Sequence, residues 1–209
     1  DGTLVCVENT SNLGGGACYS QDALDEIAAV AKENGCGTHI DGARIFNASI
    51  ATGVDVARMC RDYDSVSICL SKGLGAPVGS VLVGSQEFIN KAHRWRKMFG
   101  GGWRQAGVLA AAALHALDHH VERLAEDHTR ARKVAEAIDS MDNFSVDLEA
   151  VQSNLVYVNC KIPASDVVSS LAEHGVDMFD LPYNRVRVAI HLHITDEDVD
   201  RIIAAFAAQ

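Results

Sequence analysis

A short apolar stretch that ends on a lysine constrains the fold of this chain more than any other feature. Residues 65–71, with the sequence SVSICLS, are bounded by Asp64 and by Gly73 and are too few for most helices. Such a run is typical of a strand buried on both faces, as in a parallel sheet. Lys72 follows directly, before a glycine-rich loop that contains Pro77. We therefore predict a buried strand that delivers a lysine to the edge of a sheet.

The chain upstream alternates between short apolar segments and a helical segment. Residues 3–7 and 38–40 have the composition of strands, and apolar residues recur at helical spacing between positions 20 and 35. Strand, helix and strand of these lengths predict a parallel crossover unit. Asp41 should then lie at the carboxyl end of its strand, one crossover unit before Lys72. Both side chains are expected at the sheet edge where α/β proteins bind ligands.

A lysine and an aspartate at one sheet edge suggest pyridoxal phosphate as a cofactor. A partly desolvated lysine has a lowered pKa, and its neutral amine can form a Schiff base with an aldehyde. A carboxylate keeps the cofactor's ring nitrogen protonated, so that the ring can act as an electron sink. Lys72 and Asp41 fit these roles, and Arg44 and Arg187 could clamp a substrate carboxylate. The alternatives are a solvated Lys72 and an Arg44 used in a cap or salt bridge.

The second half of the chain has a different pattern of predicted helices and strands. A helical pattern runs from Trp103 to about Met141, and we interpret it as a long helix between two domains. After Asn143, short predicted strands alternate with helices, which indicates a small α+β domain. The expected fold class is thus α/β, with a large, mostly parallel cofactor-binding domain over residues 1–120. A small carboxyl-terminal domain should cover residues 121–209.

Composition limits the partners and the compartment. The chain has 18 basic and 28 acidic residues, a formal net charge of −10, which argues against nucleic acid or an anionic membrane as partners. No apolar run reaches membrane-spanning length and no leader pattern opens the chain, so we expect a cytoplasmic protein. Six cysteines without a CxxC pair are interpreted as reduced, small apolar residues. We expect no metal site, because His119 and His120 should face different directions on a helix and no HExxH motif occurs.

Three motifs resemble the low-specificity L-threonine aldolase family. They are HIDGARIFN at residues 39–47, CLSKGLGAPVGS at residues 69–80, and RWRK with the downstream GGGWRQ within residues 94–105. The resemblance continues in order from Glu8-Asn9-Thr10 to Arg187 and His191. It implies the fold-type-I architecture of pyridoxal-phosphate-dependent transferases and a homotetramer built as a dimer of dimers. It also implies cleavage of L-threonine or L-allo-threonine to glycine and an aldehyde.

The resemblance assigns roles to individual residues. Lys72 matches the lysine that binds the cofactor covalently, and Asp41 matches the partner of its ring nitrogen. Arg44 matches a residue near the ring hydroxyl and the substrate carboxylate. Arg187 matches the second arginine that binds this carboxylate.

Further matches concern the surroundings of the cofactor. Lys97 and Arg104 match basic residues that approach the cofactor region, across a subunit interface. Ser11 stands where the family usually has a histidine that contacts the substrate hydroxyl. Serine can hydrogen-bond this hydroxyl but is a poor base near neutral pH. The resemblance therefore leaves the preference between threonine and allo-threonine open.

Members of this family extend considerably further at the amino end, where the phosphate-binding residues and the residue that stacks on the ring lie. We therefore expect an amino-terminal fragment or chain to complete the fold. Two other functions remain open. A pyridoxal-phosphate-dependent β-eliminating lyase acting on another amino acid would use the same lysine, aspartate and arginines. A truncated subunit without catalytic activity would only stabilise a partner.

Overall fold

The computed structural model describes residues 3–209, so the predicted opening loop at Asp1 lies outside the described residues. The strands are β1 (Leu4–Glu8), β2 (Gly37–Asp41), β3 (Ser65–Cys69), β4 (Ser80–Gly84), β5 (Phe144–Val146), β6 (Leu155–Cys160), β7 (Asp180–Leu181) and β8 (Arg185–Ala189). The helices are α1 (Gln21–Glu33), α2 (Ile45–Thr52), α3 (Val56–Cys60), α4 (Gln86–Met98), α5 (Gly107–His119), α6 (Leu124–Asp139), α7 (Ala164–Glu173) and α8 (Asp196–Ala207). Within the described range, no helix combines the length and the apolar composition needed to cross a bilayer.

The chain divides into two compact units. The first contains the residues up to Thr10 and Cys18–Glu122, and the second contains Ser11–Ala17 and Arg123–Gln209. The loop Ser11–Ala17 therefore groups with the carboxyl-terminal part of the chain, although it directly follows the first strand. The sequence does not predict that this loop belongs to the second unit, because local patterns carry no information on contacts between distant segments.

The first unit contains a four-stranded sheet in the order β1-β2-β3-β4. β1, β2 and β3 run parallel, and β4 pairs antiparallel to β3. The predicted crossover from β1 through α1 to β2 is confirmed, and Ser20 caps α1 by accepting a hydrogen bond from the Ala23 amide. The core joins buried apolar side chains of these strands and helices: Val7, Leu24, Ile40, Ile45, Ala48, Met59 and Val66. The predicted α/β class with a mostly parallel sheet is therefore confirmed.

The burial of β3 and β4 differs from the expectation of a strand covered on both faces. Ser65 and Val66 are buried, but the second half of β3 is only half-buried. All five residues of β4 are exposed. Because β4 is an edge strand, its outer backbone groups also lack a strand partner within the described sheet.

The second unit contains an antiparallel sheet in the order β5-β6-β8-β7. Helices α6, α7 and α8 supply the other half of its core, which includes Ile138, Leu171 and Phe206. Phe144 of β5 meets Phe206 of α8 edge to face, with ring centroids 5.1 Å apart. This arrangement is the α+β pattern predicted for the end of the chain.

The predicted helix from Trp103 to Met141 is wrong as a single element. It begins only at Gly107 and is interrupted at residues 120–123, which separate α5 from α6. Helical periodicity continued through the interruption because no proline marks it. His120, at the end of α5, hydrogen-bonds the Leu74 carbonyl 46 residues away, and Arg123, just before α6, pairs with Asp127 one helical turn later.

The pair formed by Arg123 and Asp127 gives a stability prediction. The Asp127 carboxylate is fully buried, and Arg123 donates to both of its oxygens at 2.6 and 3.2 Å. Removing one partner of a buried pair leaves the other charge uncompensated, so Asp127→Ala should lower the free energy of unfolding by about 3–5 kcal/mol. Glu136→Ala is the matched control, because Glu136 forms an exposed pair with Arg132 on the same helix and should cost less than about 1 kcal/mol. Equal urea midpoints for the two variants would contradict this assignment.

Candidate active site

Three polar side chains follow the parallel strands at one edge of the first sheet. Glu8 pairs with Asp41, and Asp41 pairs with Ser67, so β1, β2 and β3 run towards the same edge, and β3 continues two residues further, to Cys69. Thr10 comes two residues after the end of β1, and Lys72 comes three residues after the end of β3. The prediction that Asp41 and Lys72 reach the same sheet edge is confirmed by this register.

Asp41 is held by the turn that follows β2. Its Oδ1 accepts a hydrogen bond from the Ala43 amide at 3.0 Å, and its backbone carbonyl accepts one from Asn9 at 2.9 Å. Gly42 donates to the Ser67 carbonyl at 2.8 Å, and a Cβ at Gly42 would lie 2.9 Å from that same oxygen. Within residues 3–209, Oδ2 of Asp41 has no hydrogen-bond donor and the side chain is exposed. One oxygen thus fixes the orientation of the carboxylate, and the other can accept a hydrogen bond from a ligand.

Lys72 lies in a tight loop between β3 and β4. The Lys72 carbonyl accepts from the Gly75 amide at 2.8 Å, and Gly75 has a φ of 73°, a left-handed conformation that favours glycine. The Lys72 side chain is exposed, so the expected partial burial of this lysine is not found in the described part of the chain. In that part, its Nζ forms no ion pair within 4 Å. The amine is therefore accessible to a ligand.

Thr10 follows β1, and Arg44 follows β2. Thr10 is fully buried, and its Oγ1 has no hydrogen-bond partner in residues 3–209. A buried hydroxyl without a partner is unfavourable, which makes it a candidate ligand contact. Arg44 is half-buried at the N-cap of α2, three residues after Asp41.

Arg187 belongs to the second unit, on the sheet face opposite its helical core. It pairs across the strands with Tyr157, whereas the neighbouring pair of Val156 and Val188 is buried. Arg187 Nη1 donates to Oδ1 of Asn12 at 2.9 Å. No carboxylate of the described residues lies within 4 Å of this guanidinium. Arg187 is therefore oriented by a neutral amide and keeps its charge available for an anion.

Ser11 lies in the loop that brings Asn12 to Arg187. Its Oγ accepts from the Gly14 amide at 3.2 Å, and its backbone carbonyl accepts from Gly16 at 2.8 Å. The Ser153 hydroxyl, just before β6, donates to the Gly16 carbonyl at 2.8 Å and so attaches the loop to the rest of the second unit. A Cβ at Gly16 would lie 2.5 Å from this hydroxyl, so the glycine allows the close approach. The contact predicted between Ser11 and the substrate stays a prediction.

Lys97 and Arg104 are both exposed in the first unit. Lys97 lies in the last turn of α4, and Arg104 follows the triple glycine. The Lys97 side chain packs closely against Gly102: a Cβ at Gly102 would lie 2.5 Å from Cδ of Lys97. Neither forms an ion pair with a carboxylate of residues 3–209. Their predicted approach to a cofactor stays a prediction.

The cysteines and histidines bear on other chemistries. Burial raises the pKa of Cys18 to about 11, and burial with a smaller effect of the Asp55 carboxylate raises the pKa of Cys60 to about 11, so these thiols stay protonated at neutral pH. The ring of His115 contacts both neighbours, His119 at 4.5 Å and His120 at 5.3 Å between centroids. In the described range, no group of three or more His, Cys, Asp or Glu side chains is arranged to hold a metal ion.

The residues at the first sheet edge fit pyridoxal phosphate. The cofactor needs an accessible amine for its aldehyde and a carboxylate for its ring nitrogen, and Lys72 and Asp41 supply both groups from neighbouring strands. The Thr10 hydroxyl adds a buried polar atom that still lacks a partner in the described part of the chain. Lys72 would hold the cofactor, and Asp41 would contact its ring.

Sequence reasoning missed three residues at or near these sites: Thr10, Asn12 and His120. Thr10 was noticed only as part of a motif, and its burial gave no signal in the sequence. Asn12 and His120 act through partners 175 and 46 residues away. A polar residue just after a strand or helix was the available signal, but it does not identify the partner.

The comparisons with known proteins agree with this geometry. The chain is 44% identical to low-specificity L-threonine aldolase 1 of Arabidopsis thaliana over 97% of its length, and covers 58% of that protein. It is 38% identical to the low specificity L-threonine aldolase of Escherichia coli K12 over 98% of its length, and covers 60% of that protein. The chain thus spans less than two thirds of the length of these relatives.

The chain also resembles a solved structure and matches a family model. The structure of Leishmania major threonine aldolase matches with a TM-score of 0.80 at 19% identity, covering 99% of this chain and 60% of that one. At this identity the likeness establishes the fold, and it confirms the predicted fold-type-I class. The model of the beta-eliminating lyase family matches residues 1–161. With its parallel sheet, its lysine loop and this match, the chain belongs to the beta-eliminating lyase family.

Proposed function

We propose that this chain carries part of the active site of a pyridoxal-phosphate-dependent aldolase. The enzyme would cleave β-hydroxy amino acids such as L-threonine and L-allo-threonine into glycine and an aldehyde. The observation that carries this proposal is the shared sheet edge of Asp41 and Lys72, set by the parallel register of β2 and β3. The relatives named low-specificity L-threonine aldolase support this choice among the chemistries of the family.

The cofactor, when bound, supplies an aldehyde and an electron-withdrawing ring that accepts the electrons of the breaking Cα–Cβ bond. Lys72 would hold the cofactor covalently through Nζ. Asp41 would accept a hydrogen bond from the ring nitrogen through Oδ2 and would keep a proton there. Its Oδ1 is already held by the Ala43 amide, so the carboxylate needs no reorientation.

Arg44 and Arg187 are proposed to bind the substrate carboxylate. Two guanidinium groups on one carboxylate fix the rotation of the substrate about Cα, and this orientation decides which bond breaks. Asn12 supports Arg187 as a neutral partner, so that the positive charge is not cancelled before the substrate binds. Ser11 is proposed to donate a hydrogen bond to the β-hydroxyl, since its Oγ already accepts from Gly14. A serine hydroxyl is too weak a base to remove the proton unaided.

A second candidate function is β-elimination on another amino acid, which the description of the matching family model favours. The same lysine, aspartate and arginines would serve, because both reactions need the cofactor and an oriented substrate. Product analysis of the full-length protein separates them. Glycine and acetaldehyde from L-threonine support the aldolase, whereas pyruvate and ammonia from serine or a sulfur amino acid support the lyase.

Exposed surfaces of the first unit support an assembly with further polypeptide. β1 and β4 are both edge strands, and β4 is exposed throughout. We propose that an amino-terminal segment of the full-length protein pairs with these edges.

The stacked rings of Trp95 and Phe99, with exposed Trp103, support contact with a second copy of the protein. Lys97 and Arg104 lie in this region and would approach the cofactor of that copy. Sedimentation of the full-length protein as a monomer would contradict the homo-oligomer, a dimer of dimers.

We also propose a cytoplasmic location. No disulfide joins any of the six cysteines within the residues that the structure describes. This pattern fits a reducing compartment. Cell fractionation with an antibody to the protein would test the location, and recovery from an exported fraction would contradict it.

Replacing Lys72 tests the covalent role. Borohydride reduction of the full-length protein incubated with pyridoxal phosphate should attach the cofactor to the peptide that contains Lys72. In Lys72→Ala this label should disappear and turnover should fall by more than about a thousandfold, because the covalent route is lost. Lys91→Ala is the matched control, since Lys91 is an exposed lysine that pairs with Glu87 at 2.7 Å. Label on another lysine in the unaltered protein would overturn the assignment.

Replacing Asn12 by an acid tests the neutral support of Arg187. Asn12→Asp keeps the shape of the side chain but places a carboxylate beside the guanidinium, where it competes with the substrate. We expect KM for L-threonine to rise by roughly tenfold with kcat changed less than about twofold. Asn90→Asp makes the same change of charge on the exposed face of α4 and should leave both constants unchanged. An unaltered KM in Asn12→Asp would show that Arg187 does not bind the carboxylate.

A further inference from the structure

A histidine at the end of α5 contacts the loop that carries Lys72. Nδ1 of His120 lies 2.6 Å from the carbonyl oxygen of Leu74. A carbonyl oxygen can only accept, so Nδ1 carries the hydrogen and donates it. Leu74 is two residues after Lys72, whereas His120 comes 46 residues later than Leu74. Both residues belong to the first unit.

The loop cannot satisfy this carbonyl by itself. Three backbone hydrogen bonds lie within it: the Gly75 amide donates to the Lys72 carbonyl at 2.8 Å, the Ala76 amide to the Leu70 carbonyl at 2.9 Å, and the Leu70 amide to the Gly79 carbonyl at 3.0 Å. These bonds set the shape of the turn but do not attach it to another element. The attachment comes from the Leu74 side chain, which is only 3% exposed, and from the bond to His120. Without the imidazole, the Leu74 carbonyl loses this hydrogen bond.

The imidazole is itself held in place. The backbone amide of His120 donates to the Ala116 carbonyl at 2.9 Å, which continues the hydrogen bonding of α5. The His120 ring meets the ring of His115 at 90°, with centroids 5.3 Å apart. Ala116 is buried, so this end of α5 is packed within the first unit. A ring fixed at its backbone and at its edge can hold the loop it contacts.

We propose that His120 is a positioning residue that fixes the Lys72 loop through the Leu74 carbonyl and so sets the reach of the lysine amine. Among the described residues, His120 hydrogen-bonds the Leu74 carbonyl and not the Lys72 amine. Its effect passes through the backbone of Leu74 and Gly73 to Lys72. The anchoring follows from the geometry alone, whereas its consequence for catalysis rests on the proposed function of Lys72.

The anchoring is tested on the full-length protein without cofactor, by hydrogen–deuterium exchange of the peptide that covers residues 70–79. His120→Asn and His120→Gln form the decisive pair, because the Asn amide reaches the place of Nδ1 and the Gln amide reaches the place of Nε2. We expect exchange in this peptide to be roughly ten- to a hundredfold faster in His120→Gln and close to the unaltered rate in His120→Asn. His119→Ala removes the adjacent exposed imidazole and should leave the peptide unchanged.

The consequence for the lysine is measured on the same proteins with pyridoxal phosphate. In His120→Gln, the rate of covalent attachment to Lys72 and kcat should both fall by roughly tenfold, while KM for the amino acid changes little. Restoration of both in His120→Asn supports positioning, because a purely structural loss would also lower the thermal midpoint and would not follow the site of the donor.

The outcomes separate this inference from the proposed function. Faster exchange in His120→Gln, rescued by Asn, supports the anchor even if no cofactor attaches to Lys72, and in that case the proposed function fails alone. Equal exchange in His120→Asn and His120→Gln overturns the anchor, whatever the enzyme activity. Attachment and turnover unchanged in His120→Gln, despite faster exchange, overturn the consequence for Lys72.

Discussion

The parallel pairing of β2 with β3 is the constraint on which the rest of the candidate site depends. Asp41 lies opposite Ser67 in this register, so the carboxylate and the lysine loop leave the sheet at the same edge. A shift by one residue would turn each side chain to the other face of its strand. Gly42 protects the register, because only a residue without Cβ permits its amide to reach the Ser67 carbonyl. The chemistry of the site is thus a consequence of backbone pairing.

Neutral hydrogen-bonding groups orient two charged side chains of the candidate site, Asp41 and Arg187. An amide holds one oxygen of Asp41, and Asn12 holds the guanidinium of Arg187. A charged partner would orient the same groups but would also compensate their charge before a ligand arrives. By contrast, Asp127 is buried against Arg123, and this pair serves stability. Asp41 and Arg187 thus differ from this structural ion pair in having a neutral partner.

The first unit also exposes apolar surfaces. The apolar and aromatic side chains of β4 and α4 are well suited to burial, yet the described chain leaves them exposed. The chain spans less than two thirds of the length of its relatives, and the proposed assembly with further polypeptide would cover these surfaces. The exposure of Lys72 belongs with them, because the partial burial expected of a cofactor-binding lysine would require such additional contacts.

The sequence by itself determined the order of elements, the fold class and the edge where Asp41 and Lys72 meet, because hydrophobic periodicity and crossover lengths are local properties. It failed for the helix after Trp103, where periodicity continued across the break at residues 120–123, and the contact of His120 with Leu74 at this break has no local signal. Only the tertiary structure decided that Ser11–Ala17 joins the second unit and that Asn12 supports Arg187. These features depend on which distant backbone and side-chain groups become neighbours, and a single sequence does not encode such pairings in any local pattern.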